Sequence, residues 1–404
     1  MRIFISAGEP SGDLHAANLV RALRRRLPGA EFVGFGGSNL EKAGARLLFP
    51  LVELAVMWFG KVLLNIHKFL RELNRADRLF RDERPDAVVL VDFPGFHWAL
   101  ARRAKRRGIP VIYYVPPQLW AWAGWRAKKM RKYVDHILCS LPFERDWYRA
   151  RGVDGAEYVG HPYFDELAER DVDEGFLAAE RAKGGRVVAI LPGSRTQEIT
   201  RNFPLMLKAA ARVAAGRPGV RFVVACLHER HRALAGSILA ESGLNLPIEL
   251  HAGRTPELIR LADLAWSVSG SVGLELMAEA LPTVVLYKVN RLDLWIARPF
   301  IKAKYISLVN LLADAELMPE YLTPFDVSAD LAAWAARWLD DPAERARASA
   351  ALVELRSRVA VPGASERAAD RIVAALGVAE RPFHGPHTQL QGTPAGWSER
   401  PGRL

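Results

Sequence analysis

"IFISAGEPSGDLHAANLVRAL", residues 3–23, decides the fold. It opens on a short unalternated apolar run and closes on apolar residues at helical spacing. A strand of that kind, feeding directly into a helix, belongs to a parallel sheet covered on both faces. The turn between them holds Gly8, Glu9, Pro10, Ser11, Gly12 and Asp13, more chemistry than a connection needs. Two readings stand. In one, Gly8 and Gly12 free the backbone so that a ligand approaches the main chain. The helix start, with its amides and positive dipole end, then favours an anion by about 0.3–1 kcal/mol. In the other, the stretch is a tight turn capped by Ser11 or Asp13.

The same strand-loop-helix order repeats along the chain. Apolar runs at 2–7, 86–92, 110–115 and 135–140 alternate with helical patterns near 13–27, 96–107 and 144–151. A second series has runs at 186–191, 220–227, 263–268 and 283–287, with helices near 203–215, 230–241, 255–261 and 272–280. These imply an α/β protein of two doubly wound, Rossmann-like domains facing a cleft, followed by a helical C-terminal segment. The expected boundaries are 1–165, 166–345, C-terminal helices over 346–376 that cross to an N-terminal domain, and a tail over 377–404. Residues 379–404 are polar and rich in Pro and Gly, a composition that buries too little apolar surface to fold.

The chain has 404 residues, half of them hydrophobic and 25% charged, as in globular enzymes. Its two cysteines, Cys139 and Cys226, form no CxxC pair, which argues against a disulfide framework or zinc site and for a reducing compartment. No signal-peptide pattern and no apolar run of roughly 18 residues is present, so a spanning helix is not expected. The net charge of +11 calls for an acidic partner: nucleic acid, a phosphorylated substrate or an anionic membrane.

Ligands of open α/β sheets bind beyond the carboxyl ends of the strands. Besides 8–13, three stretches belong there. "VVAILPGSRTQEI" (187–199) ends a strand at Pro192-Gly193; Ser194 and Gln197 have capping-box spacing, and Arg195 suits a pyrophosphate or is simply solvated. "SVSGSVGLELMAEALPTVVLY" (267–287) places Ser271 in a Ser/Gly loop and Glu275 in the first turn of a helix. There a carboxylate accepts from a ribose diol or merely complements the dipole. "PDAVVLVDFPGF" (85–96) puts Asp92 at a strand end, as a general base toward a bound hydroxyl or as a helix cap. The absence of GxGxxG gives a nicotinamide dinucleotide little support.

Taken in order, "SAGEPSGDLHAA", "GFGG", "LAVM", "VDFPGF", "YYVPPQLWAW", "LPFE", "VGHP", "LPGSRTQEI", "SGSVGLELM" and "SLVNLL" resemble the lipid-A-disaccharide synthases, inverting glycosyltransferases of the GT-B type. The resemblance covers residues 2 to about 376. It implies transfer of 2,3-diacylglucosamine from UDP-2,3-diacylglucosamine to 2,3-diacylglucosamine 1-phosphate, with release of UDP and formation of a β-1,6 disaccharide. It implies no metal and no organic cofactor, no nucleic-acid partner, and admits a homodimer. Asp92 then matches the family's general base and Arg195 the arginine that stabilises the leaving UDP. Glu275 matches the ribose-binding acid, and Asn310 an asparagine needed for activity. Glu9, Ser11 and Asp13 match the loop facing the sugars; Gly8 and Gly12 beside them, and Gly193, Ser194 and Ser271 on the nucleotide side, are further expected substrate contacts. The sequence departs from the family after "AVM", where Trp58-Phe59-Gly60-Lys61 stand, and at Gly95, where relatives can carry an acid.

The acylated substrates also imply work at the inner face of the inner membrane, as a cytoplasmic, peripheral protein. "MWFGKVLLNIHKFLRE" (57–72) reads as an amphipathic helix with Phe59, Leu63, Ile66 and Leu70 on one face and Lys61, Asn65, Lys68 and Glu72 opposite. Phe59, Val62, Leu63, Ile66, Phe69 and Leu70 are the expected membrane contacts; a core-facing helix is the alternative. The basic runs at 101–107 and 126–132, beside Trp120, Trp122 and Trp125, suit an anionic bilayer surface. Rival readings are another GT-B UDP-sugar enzyme, of the peptidoglycan glycosyltransferase or epimerase kind, and a non-enzymatic basic binding protein.

Overall fold

A computed structural model describes residues 1–56, 66–297 and 303–378. Among them are two all-parallel sheets. The first contains β1 (Arg2–Ala7), β2 (Glu31–Phe35), β3 (Arg46–Phe49), β4 (Ala87–Val91), β5 (Val111–Tyr114), β6 (His136–Cys139) and β7 (Ala156–Tyr158) in the order β3-β2-β1-β4-β5-β6-β7. The second contains β8 (Val187–Leu191), β9 (Arg221–Cys226), β10 (Ile248–Ala252), β11 (Leu264–Ser267), β12 (Thr283–Lys288) and β13 (Glu320–Thr323) in the order β10-β9-β8-β11-β12-β13. The doubly wound α/β class expected from the sequence is therefore the observed one.

Both sheets reverse their winding direction once. In the first, β1 lies between β2 and β4, with Ala7 opposite Val91. In the second, β8 lies between β9 and β11, with Leu191 opposite Ser267. At such a switch point the loops leaving neighbouring strands diverge to opposite faces and open a crevice at the carboxyl ends. The loops at 8–13 and 92–94 leave the first switch point. Those at 192–195 and 268–271 leave the second.

The interior strands β1, β4, β5, β6, β8, β9, β11 and β12 were legible as apolar runs because both faces are covered; every residue of β4 and β8 is buried. The strands not foreseen include all four sheet edges, β3, β7, β10 and β13. Every residue of β10 and β13 remains partly exposed, and their sequences IELHA and EYLT carry no apolar run. The interior strand β2 was hidden by its brevity and by Gly34.

The chain divides into two compact units, one of residues 1–168 joined by the segment from 361, the other of residues 169–360. The first boundary thus falls slightly after the expected 165. The C-terminal helices part company. Helix Pro342–Val359 stays with the second unit, where Arg356 donates to the carbonyl of Ala278. Helix Ala364–Ala375 packs on helix Pro10–Arg26 of this same chain, through Arg25 and Arg26 to Glu366 and Arg26 to Asp370. Ala368, Ala369, Ile372 and Val373 join the core of the first unit. The tail reading falls on residues 379–404, outside the described ones.

The Asp165 carboxylate accepts from the amides of Gly363, Ala364 and Ser365 at 2.6, 3.0 and 2.8 Å, and so caps that helix across the break that separates the unit's two segments in sequence. Asp165→Ala should lower the stability of the first unit by about 1–2 kcal/mol, and Asp165→Asn by less. Denaturant titration followed by tryptophan fluorescence measures both.

Candidate active site

Asp92 follows the last residue of β4, and both it and Phe93 hold left-handed backbone conformations, φ 52° and 50°. For residues with side chains this is strained. The Asp92 carbonyl is held from two sides: Tyr113 Oη donates to it at 2.6 Å, and His97 Nδ1 lies 2.6 Å away. A carbonyl only accepts, so Nδ1 carries the proton and His97 Nε2 accepts from Ser6 Oγ at 2.9 Å. Burial holds His97 neutral, down to about 3. The turn is thereby fixed by hydrogen bonds from β1, β5 and helix Pro94–Arg106. Burial also raises the Asp92 carboxyl above its ordinary range, opposed by the Phe93 amide and by the charge of His15. A half-buried carboxyl at a switch point, with raised proton affinity, is suited to general-base work.

The 8–13 loop is furnished differently from the expectation. Gly8 is buried beneath Phe93: a Cβ there would lie 2.2 Å from Phe93 Cγ. It makes room for the ring rather than for a ligand, and neither Gly8 nor Gly12 has positive φ. Glu9 is the N-cap residue of helix Pro10–Arg26, and neither Ser11 nor Asp13 caps it. Asp13 is turned inward, 2% exposed, and caps the next helix. Its carboxylate accepts from Gly37, Leu40 and Asn39 amides at 2.6, 3.3 and 3.0 Å. Asp13 therefore holds the turn after β2 and is corrected from sugar contact to scaffold. Glu9 is half-buried and Ser11 exposed at the loop surface.

At the second switch point Gly193 has φ 131°, and a Cβ would lie 2.4 Å from Glu198 Cβ. The expected Ser194–Gln197 capping box is replaced by one residue further on. Glu198 accepts from the amides of Ser194 and Arg195 at 2.9 and 3.2 Å, with Arg195 Nη1 at 3.3 Å. Arg195 is exposed at the start of helix Thr196–Gly216. Ser271 is the exposed N-cap residue of helix Val272–Ala278. Glu275 lies in that helix's first turn as expected, buried, with Oε1 2.6 Å from Arg170 Nη1.

Asn310 is fully buried and its amide is saturated. Nδ2 donates to Met318 O and Glu320 Oε2 at 2.7 and 3.0 Å, and Oδ1 accepts from Leu317 and Met318 amides, both at 2.9 Å. With two donors and two acceptor sites all used, it shapes the 314–320 turn and has no capacity left for a ligand. That corrects its assignment as a substrate contact.

Of the expected membrane contacts, Phe59, Val62 and Leu63, and the Ile66 side chain, lie outside the described residues. In helix Ile66–Asp82, Phe69 turns inward with its ring 5.7 Å from that of Phe96, on the face that buries Leu73, Ala76 and Phe80. Phe69 is thus a packing residue. Glu72, expected on the polar stripe, is 3% exposed, whereas Leu70 is 50% exposed. Trp120 is buried, donating to Glu144, but Trp122 and Trp125 are 47% and 64% exposed. The Arg126 guanidinium lies 4.7 and 5.0 Å from their ring centroids.

Among the described residues Glu180, Glu249 and His251 converge closely enough to suggest a metal. Arg221 and Lys183 already pair with both carboxylates, so the cluster is an ion-pair network. Sequence reading missed His97, Tyr113, His15, Arg170 and Glu198 as partners of the candidate residues. Only Glu198, three residues from Arg195, carried a local signal. Asn310→Ala would orphan the Leu317 and Met318 amides and should cost the second unit about 2–4 kcal/mol. Asn310→Asp should also destabilise it, by placing a second carboxylate beside Glu320. Thermal unfolding of the two variants measures this.

The chain matches the family described as lipid-A-disaccharide synthetase over residues 3–356. It is 39% identical over 378 residues to the lipid-A-disaccharide synthase of Myxococcus xanthus, covering 93% of this chain and 97% of that protein. It is 34% identical to that of Geobacter sulfurreducens, with the same coverage. Among solved structures, a UDP-GlcNAc 2-epimerase from Neisseria meningitidis bound to UDP-GlcNAc gives a TM-score of 0.61 at 12% identity, covering 93% of this chain and 99% of that one. MurG from Acinetobacter baumannii gives 0.57 at 14%, covering 92% and 99%. The structural likenesses establish the fold; the sequence likenesses, spanning nearly the whole of each relative, place this chain in the lipid-A-disaccharide synthase family.

Proposed function

We propose that this protein transfers 2,3-diacylglucosamine from its UDP derivative to the 6-hydroxyl of 2,3-diacylglucosamine 1-phosphate. One observation carries the reading beyond family membership: the strained, half-buried Asp92 at the switch point of the first sheet, whose main chain is held while its carboxylate gains proton affinity. Asp92 takes the proton of the acceptor hydroxyl as its oxygen attacks the anomeric carbon. The bond from that carbon to the UDP oxygen breaks, and the configuration inverts once. Charge growing on the diphosphate is met by Arg195 and the helix start behind it. The Ser194 and Arg195 amides already donate to one anion, the Glu198 carboxylate, which supports an anion-selecting role for the loop.

Glu275 with Arg170 serves the ribose, and Ser271 the neighbouring loop. Glu9 and Ser11 serve the acceptor sugar. The protein meets its acylated substrates as a peripheral protein on the inner face of the inner membrane, through the 57–70 segment and the Trp122–Trp125 surface. No helix among the described residues is long and apolar enough to cross a membrane. Exposed tryptophans beside Arg126 suit the headgroup region of an anionic bilayer.

Purified protein given both acylated substrates should release UDP and form disaccharide in equal amounts. Asp92→Asn should lower kcat by about 10²–10⁴-fold with donor affinity retained. Arg195→Ala should lose about 10²–10³-fold. Near-normal turnover in Asp92→Asn, or UDP release without disaccharide, would overturn the assignment.

A further inference from the structure

We propose that Leu292, Trp295 and Phe325 form the surface on which the second unit receives an acyl chain of the UDP-sugar donor. The inference rests on the reading that the donor is an acylated UDP-sugar, and deepens it by locating the chain. Three large apolar side chains meet water at one corner: Leu292 is 65% exposed, Trp295 75% and Phe325 58%. Exposed apolar residues scattered singly need no explanation, whereas a contiguous group marks a contact surface. Leu292 and Trp295, three residues apart on helix Arg291–Ala297, share one face of it. That helix leaves the carboxyl end of β12, and Phe325 follows the carboxyl end of the neighbouring β13, where Lys288 lies opposite Thr323. The Arg291 guanidinium, 5.2 Å from the Phe325 ring centroid, joins helix to turn. The turn is pinned. Lys288 Nζ donates to the carbonyls of Pro324 and Phe325, both at 2.7 Å, and the Phe325 amide donates to Thr323 Oγ1 at 3.0 Å.

Placement decides the occupant. The carboxyl edge of an open α/β sheet is the edge at which ligands bind. β12 lies directly beside β11, whose following loop and helix hold Ser271 and Glu275, so the corner begins one strand spacing, about 5 Å, across the sheet from them. A second path ties it to helix Thr196–Gly216, at whose start Arg195 stands. Asn202 Nδ2 donates to the Glu198 carbonyl at 2.8 Å, Asn202 Oδ1 accepts from the Lys288 amide at 2.9 Å, and Lys208 pairs with Asp326 at 2.8 Å. From the start of that helix to Asn202 is roughly 9 Å. A glucosamine held by its diphosphate at 192–195 therefore has exposed apolar surface beside it on the same sheet edge and in the same unit. A hydrocarbon chain laid across Leu292, Trp295 and Phe325 leaves water together with the side chains it covers.

The test is calorimetric titration of the full-length protein with UDP and with UDP-2,3-dihexanoylglucosamine, whose short chains keep it monomeric. The variants are Leu292→Ser/Trp295→Ser, Phe325→Ser and, as a control, Val353→Ser, whose exposed side chain stands in the middle of helix Pro342–Val359. Wild type should bind the acylated donor about tenfold or more tightly than UDP. The double variant and Phe325→Ser should each lose about tenfold toward the acylated donor with UDP affinity unchanged, and Val353→Ser should lose neither. An equal loss toward both ligands marks a structural role and overturns the proposal. Unchanged donor affinity in the variants overturns it too; a loss of flotation on phosphatidylcholine–phosphatidylglycerol vesicles then assigns the corner to a bilayer, and a changed particle size to a second copy of the chain. Wild type that binds UDP but shows no preference for the acylated donor overturns this inference alone. Wild type that does not bind UDP overturns the donor reading with it.

Discussion

The Asp92 carbonyl carries the arrangement of the first unit's site. Two successive left-handed residues cost on the order of 1–3 kcal/mol each, and the chain adopts them because this carbonyl is gripped by Tyr113 and by His97, itself backed by Ser6. The grip draws on β1, β5 and the helix after β4, so the orientation of one side chain depends on the alignment of the central strands. Gly8 completes it by leaving space for Phe93. A main chain fixed in this way sets the direction in which the Asp92 side chain leaves the loop, the kind of positioning that proton transfer rewards.

The second unit repeats the winding with different chemistry. Its switch point has no strained acid; instead Gly193 lets the chain fold over Glu198, whose carboxylate gathers two amides and Arg195. One unit presents a half-buried carboxyl of raised proton affinity, the other a loop whose amides donate to a carboxylate. That division follows from the same sheet topology carrying two different strand-end loops.

Much of this was legible in sequence where the cause is local. Buried interior strands appear as apolar runs, and Asp92, Arg195 and Glu275 stand where strands or helices begin and end. The rest depends on partners far along the chain. Asp13 caps amides 24 to 27 residues away, and Asp165 caps a helix 198 to 200 residues away. Asn310 looks like a ligand contact until its four bonds are counted. Phe69 and Leu70 are neighbours in an amphipathic pattern, and only the ring of Phe96 decides that the first turns inward. The sheet edges were invisible for the opposite reason: half-exposed strands need no apolar run.

The claim that the carbonyl clamp holds the base is tested most directly by the steady-state kinetics of Tyr113→Phe. Its removed hydroxyl touches the Asp92 main chain and belongs to a fully buried ring. Loss of one buried hydrogen bond of about 1.4 kcal/mol should lower kcat for disaccharide formation about tenfold, with KM for the UDP-sugar unchanged. A Tyr113→Phe enzyme with the wild-type kcat would contradict it.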